Sequence, residues 1–194
     1  MKLGVFGGTF DPIHLGHIFA ADKAKQQLDL DEVLFVPAGQ PWLKANVSVT
    51  DIHHRLAMVE RAIKKVPYFS ISYIETSRVG PSYTSDTVEE LTRELRCTDI
   101  YLILGLDALG EFDRWKRPKR VLELTTVVGI ARPGAEKLDK QSLEIVSPGA
   151  SNRIVVIEGQ LVSISGTDIR KRIRAERPFK HLVSGAVEEY INKH

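Results

Sequence analysis

The chain has 194 residues, 43% of them hydrophobic and 27% charged, with a formal net charge of +2; that length suits one domain burying roughly 70% of its unfolded surface, and the composition excludes disorder and fibrous folds. A charge so nearly balanced argues against a nucleic-acid binder or an acidic-membrane binder, whose affinity would rest on a broad positive field. Cys97, the only cysteine, rules out an internal disulfide and a cysteine metal cluster and reads as a structural thiol. No apolar run approaches 18 residues and the N-terminus reads as a strand instead of a leader, so a cytoplasmic protein is expected.

Leu3 to Phe6 is a short apolar run without helical period that leads straight into Gly7-Gly8-Thr9. Ile18, Ala21, Ala24 and Leu28 then recur at helical spacing, so a helix opens around His14 to His17 and stops near 28–31. A buried strand, a glycine turn and a helix N-terminus in that order form a socket for negative charge, because unpaired N–H groups and the positive end of the helix dipole point into it. VLFVPAG, residues 33–39, reads as a second buried strand, followed by an aperiodic loop at 40–49 that carries Trp42 and Lys44. A loop of that length is more often functional than idle. Thr50 or Asp51 can cap a helix whose apolar face is Ile52, Leu56, Val59 and Ile63, ended by Pro67. A third strand near 69–74 and a turn at Gly80-Pro81-Ser82-Tyr83 precede a helix that opens at Thr84, Ser85 and Asp86.

DIYLILG, Asp99 to Gly105, is the fourth strand, ending in glycine at a loop that contains Asp107. PKRVLEL continues as a helix, Val127 to Ala131 as a strand, and Arg132-Pro133-Gly134 as a turn. RIVVIEG and QLVSIS (153–159 and 160–165) read as two short strands leading to Gly166-Thr167-Asp168 and the helix IRKRIRAE, with a last amphipathic helix at 186–191. Strands alternating with helices require right-handed crossovers and a parallel sheet covered on both faces. The expected fold is a doubly wound α/β domain spanning 1–194, helical from about residue 166 onward.

In open α/β sheets ligands sit beyond the carboxyl ends of the strands. Gly8 to His17 follows the first strand, Lys44 the second, Asp107 the fourth, Arg132 the fifth and Thr167 to Arg170 the last, so the candidate residues converge on one sheet edge. His14 and His17, three apart, share a helix face. A zinc site would need a further ligand, and no HExxH pattern is present; surface histidines would be the ordinary alternative. The preceding GGTFDP, with two glycines for close backbone approach, favours phosphate binding.

GGTFDPIHLGH, residues 7–17, resembles the HxGH signature of the nucleotidyltransferases, and ISGTDIR, residues 164–170, resembles the second signature of that superfamily, usually ISSTxIR. PSYTSDT, GLDALGEFDRWKRP and ARPG are similar to segments of the bacterial nicotinate mononucleotide adenylyltransferases, and the likeness covers nearly the whole chain. It implies ATP and nicotinate mononucleotide as substrates, deamido-NAD and pyrophosphate as products, and Mg2+ as a helper that arrives with ATP, without a dedicated protein ligand cluster. It implies no nucleic-acid or membrane partner and is compatible with a homo-oligomer. By the same resemblance His14, His17, Lys44 and Arg170 are catalytic. ATP would be held by Gly7, Gly8, Thr9, Phe10, Asp11, Gly105, Asp107, Ile164, Ser165, Thr167 and Arg170, with Asp11 orienting its loop or meeting Mg2+ through water and Asp107 on a ribose hydroxyl. The mononucleotide would meet Lys44, Arg132, the Tyr83 and Thr84 backbone, and Trp115 stacked on the pyridine ring. Two departures stand out: Pro41-Trp42-Leu43-Lys44 where the family has Pro-Pro-His-Lys, and Gly166 where it usually has Ser. Pantetheine-phosphate adenylyltransferase, or a non-catalytic nucleotide sensor that kept the fold, are the alternatives; a fragment of a class I aminoacyl-tRNA synthetase is disfavoured for want of a KMSKS-like loop.

Overall fold

The computed structural model describes residues 1–41, 48–95, 98–131, 144, 147–158 and 164–194. Six strands form one sheet in the order β3-β2-β1-β4-β5-β6, every pairing parallel: β1 (Lys2–Gly8), β2 (Glu32–Pro37), β3 (Phe69–Ile71), β4 (Asp99–Gly105), β5 (Thr126–Ile130) and β6 (Ile154–Ile157). The order runs outward in one direction through β2 and β3 and in the other through β4, β5 and β6. The strand order therefore reverses between β1 and β4, and the carboxyl ends of these two strands, Gly8 and Gly105, flank the crevice that such a reversal leaves.

Side-chain alternation assigns the two faces. Leu3 and Val5 of β1 and Ile100, Leu102 and Leu104 of β4 point into one core with Val88, Leu91, Val121 and Leu122, which come from α3 (Thr84–Glu94) and α5 (Pro118–Leu124). Phe6 and Ile103 point the other way, towards α1 (Leu15–Leu28), α2 (Ile52–Ile63), α6 (Gly166–Arg174) and α7 (Gly185–Lys193). This is the doubly wound arrangement expected of alternating strands and helices. On α1 the buried positions are Ala20, Ala21 and Ala24; such small side chains let the helix backbone lie close to the sheet.

Several expected boundaries shift for identifiable reasons. β3 stops at Ile71 instead of near 74: after Ser72 donates its N–H to the Phe35 carbonyl, Thr76 and Ser77 turn back onto the Tyr73 carbonyl. Asp107 lies not in a loop but in the first turn of a one-turn helix, α4 (Leu106–Leu109). α2 is capped by Asp51, which accepts the His53 N–H, yet its inward stripe is Arg55, Met58, Val59 and Ile63. Ile52 and Leu56 are only half-buried, so the helix is rotated towards the side that carries the arginine. Of the expected strand at 160–165, residues 160–163 lie outside the described residues, as do Cys97 and the Arg132 turn. Among the described residues no helix is long and apolar enough to cross a membrane.

Candidate active site

Beyond Gly8 the chain passes Thr9, Phe10 in a left-handed conformation (φ 48°) and a cis Asp11–Pro12 bond before entering α1. His14 is the N-cap of α1 and keeps an extended backbone (φ −141°, ψ 169°), so it stands just outside the helix rather than on its face. Its N–H donates to Nδ1 of His17 at 3.2 Å. An imidazole nitrogen that accepts cannot carry a proton, so in this arrangement a neutral His17 holds its hydrogen on Nε2 and presents that atom as a donor. The two rings stack at 3.6 Å between centroids with 19° between planes. Phe6 and Phe10 meet the His17 ring edge-on at 6.0 and 5.1 Å. Phe10 is itself only 2% exposed and belongs to the core. It is the floor under the histidines and takes no part in the cavity wall.

The second signature folds against the first. Ser165 caps α6 with an extended backbone, and Arg170, one turn in, donates through Nη1 to the Asp11 carbonyl at 2.5 Å, 3.5 Å from the Asp11 carboxylate. Its Nη2 reaches Thr167 Oγ1 at 3.4 Å. Asp11 is buried and also accepts the Thr50 N–H at 3.3 Å, so its contacts are those of a residue that orients the loop. A Cβ at position 166 would sit 2.7 Å from the Asp11 carbonyl oxygen. Glycine in place of the usual serine is what allows the β1 loop to lie this close to the start of α6.

A cavity of about 680 Å3 opens at the β1/β4 crevice. At one end its wall is Gly7, Gly8, Thr9, His14 and His17; Gly105, Asp107 and Ile164 contribute along its length. At the other end are Glu75, Ser82, Thr84, Thr87 and Trp115. Ser165, Thr167 and Arg170, like Asp11 and Tyr83, are not part of that wall. Thr84 is the first residue of α3 and Tyr83 its N-cap, so the positive end of the α3 dipole faces this end of the cavity. The Trp115 ring packs on Phe112 at 5.1 Å, and its buried Nε1 has no hydrogen-bond partner among the described residues. Asp86, in the first turn of α3, is engaged by Lys116 Nζ at 3.2 Å and Arg117 Nη2 at 2.5 Å. Burial pushes its carboxyl up, but these cations outweigh the burial and hold it below the usual carboxylate range. Lys116 also lies over the Tyr83 ring, 4.3 Å from its centroid.

Sequence reasoning missed three residues at this edge. Arg55, 2% exposed, donates to the carbonyls of Thr50, Thr9, Ala38 and Gly39. Burial lowers its guanidinium pKa, against the opposing charges of Asp11 and Asp51. Glu75 is buried in the cavity wall and accepts from Thr87 Oγ1 at 2.8 Å. Burial pushes its carboxyl up, opposed by hydrogen bonds from Thr87 and Ser82 and by the charge of Arg78. Ser82 Oγ accepts in turn from the Gly39 and Gln40 N–H groups at 3.0 and 3.2 Å. Lys44 and Arg132 lie outside the described residues.

Comparison with known proteins places these features in a family context. Residues 5–172 match the cytidylyltransferase-like family model. The chain is 41% identical over 193 residues to a Thermomicrobium roseum protein named probable nicotinate-nucleotide adenylyltransferase, covering 100% of this chain and 90% of the relative. It is 41% identical over 192 residues to a Roseiflexus protein of the same name, covering 99% and 96%. Among solved structures, the Plasmodium falciparum nicotinic acid mononucleotide adenylyltransferase complexed with NaAD superposes with a TM-score of 0.81 at 21% identity, over 99% of this chain and 95% of that one. The same enzyme complexed with APC gives 0.78 at 22% identity, over 99% and 94%. At such identities the structural likeness speaks for the fold alone.

Proposed function

The chain belongs to the cytidylyltransferase-like family and, within it, to the nicotinate-nucleotide adenylyltransferases, and from that membership we propose that it transfers the adenylyl group of ATP to nicotinate mononucleotide, releasing deamido-NAD and pyrophosphate. The observation that carries this reading is one cavity lined by two chemically different groups: stacked histidines beside a glycine turn, and a tryptophan together with the first residue of a helix.

In the proposed reaction the 5′-phosphate of the mononucleotide attacks the α-phosphorus of ATP in line, and charge builds on the equatorial and leaving oxygens. No covalent nucleophile is required; positioning and donors that favour the transition state are. His17, with its proton on Nε2, donates to the triphosphate, and His14 stacked on it does the same without either acting as a general acid. Gly7, Gly8 and Thr9 let the phosphates approach the backbone closely. Ser165, Thr167 and Arg170 serve the β and γ phosphates from the start of α6. Arg170, held on Asp11, ties that group to the histidine loop. Gly105, Asp107 and Ile164 line the path of the nucleoside, and Lys44 and Arg132 supply cations on the acceptor side. Mg2+ arriving with ATP would neutralise the charge of the triphosphate oxygens.

At the other end Trp115 stacks on the pyridine ring, and the Thr84 N–H, at the positive end of α3, meets its carboxylate. Asp86 would oppose an anion there, but its pairing with Lys116 and Arg117 offsets that charge, which supports a preference for nicotinate over the neutral nicotinamide. The deciding assay is pyrophosphate release from ATP with nicotinate mononucleotide, nicotinamide mononucleotide and phosphopantetheine in turn. Turnover of nicotinate mononucleotide with the highest kcat/KM is expected; turnover of phosphopantetheine alone would overturn the reading, and binding without turnover of any acceptor would make the protein a sensor.

A further inference from the structure

Arg55 projects from the first turns of α2 into a fully buried position where, among the described residues, its guanidinium donates to backbone oxygens alone: Nε to Thr50 at 2.9 Å, Nη1 to Thr9 at 2.9 Å and to Ala38 at 2.7 Å, and Nη2 to Gly39 at 3.2 Å. These carbonyls belong to three separate segments, the turn after β1, the turn after β2 and the entry to α2. The β1/β2 ladder ends at the pair Gly8 and Pro37. Past that point the two turns are joined by the Ala38 N–H to the Gly8 carbonyl at 2.9 Å and by Arg55.

Burying a cation is costly, and an apolar residue of similar volume often stabilises a fold as well or better. What an apolar residue cannot do is hold four carbonyls of three segments at fixed separations. The planar fork of arginine presents donors in several fixed directions, whereas a lysine offers three from a single atom. Gly39 reinforces the geometry from the opposite side, since a Cβ there would sit 2.3 Å from the Glu75 carbonyl oxygen.

We propose that Arg55 is a positioning residue for adenylyl transfer, fixing the separation between the Gly8–Thr9 turn, which cradles the donor phosphates, and the Ala38–Gly39 turn, whose Gly39 N–H bonds Ser82 in the cavity wall. It touches neither substrate. Each substrate keeps its own contacts when the hub is loosened, so each binds alone as before; what is lost is their mutual alignment, which appears in kcat. A displacement on the scale of 1 Å between reacting groups costs on the order of a hundredfold in rate.

The activity part of this inference rests on the adenylyl-transfer reading; a second part does not. Arg55→Lys and Gly39→Ala, the second of which leaves the arginine in place and moves one of its partners, are compared with the unaltered protein in three measurements. The first is the dissociation constant of ATP and of nicotinate mononucleotide, each alone, by calorimetry. The second is kcat with both saturating, per folded molecule. The third is amide hydrogen exchange at Ala38 and Gly39 against β4. Expected are dissociation constants within about threefold, a kcat lower by about tenfold to a hundredfold, and exchange at least about tenfold faster at the two turns with β4 unchanged. A kcat within twofold of the unaltered protein, or unchanged exchange at the turns, overturns the proposal. So does failure of both variants to fold, which would make the hub a requirement of the fold alone. Should the unaltered protein turn over neither pyridine mononucleotide, the functional reading fails, and the exchange result still decides whether Arg55 sets the two turns.

Discussion

The two ends of the cavity are built on different principles. At the histidine end the geometry is set by buried groups that leave little freedom: a backbone N–H fixes His17, an aromatic floor supports it, and Arg170 and Arg55 clamp carbonyls of the surrounding turns. At the tryptophan end the determinants are side chains whose charges are balanced at the surface, where Asp86 and Glu89 share Lys116, Arg117 and Arg120. Chemistry common to many acceptors needs fixed donors, because their worth depends on being in place before the reaction begins. Choice of acceptor needs only a difference between two affinities, which a few adjustable charges can supply.

That contrast can be tested by breaking each end in turn. His17→Ala should leave the fold intact and lower kcat by roughly a hundredfold or more, the usual scale for one transition-state donor; near-normal turnover would remove the histidine end from the chemistry. Trp115→Ala should raise KM for the mononucleotide by about tenfold, as expected for one lost stacking platform, with kcat within about threefold. A fall in kcat with unchanged KM would place the tryptophan on the wrong side of the division.

Smaller effects sharpen the comparison. Arg117→Ala removes one of the cations on Asp86 and leaves Glu89 with Arg120. KM for nicotinate mononucleotide should rise by about two- to fivefold, an effect that shrinks with added salt because the pair is exposed; nicotinamide mononucleotide should be unaffected. A loss equal for both acceptors would mean that the surface charges do not select. Glu75→Gln probes stability. Burial raises the Glu75 carboxyl pKa in the folded state, so its favourable contribution is complete below the ordinary carboxylate range and is lost as pH climbs through the raised folded value. The melting temperature of the glutamine variant should therefore gain on that of the unaltered protein as pH rises above the ordinary carboxylate range. Parallel melting profiles over that rise would show that the carboxyl is not strained by burial.

The fold was legible because its signals are local. Apolar runs ending in glycine marked β1 and β4, and apolar residues recurring at helical spacing marked α1. His14 and His17 were legible for the same reason, since turn, glycines and both rings fall within eleven residues. Arg55 and Glu75 were not, because nothing beside them in the chain marks them as buried. Arg55 sits four residues before Val59 on the stripe that faces inward, where a charged residue argues against burial until four carbonyls from elsewhere are seen to receive it. The stacking of the histidines was hidden too, because it depends on His14 remaining outside the helix that its neighbours begin.

The bond from Arg170 to the Asp11 carbonyl spans 159 positions of sequence, and close by the Leu15 N–H is received by the Leu182 carbonyl at 2.9 Å. The order of synthesis therefore separates the histidine loop from the start of α6 in time. Strands β1 to β5 can pair while the chain is still growing, but the loop that carries the histidines acquires its last supports only after residue 182 has left the ribosome. Until then a nascent chain would hold most of the sheet without the contacts that Arg170 and Leu182 bring to the histidine loop.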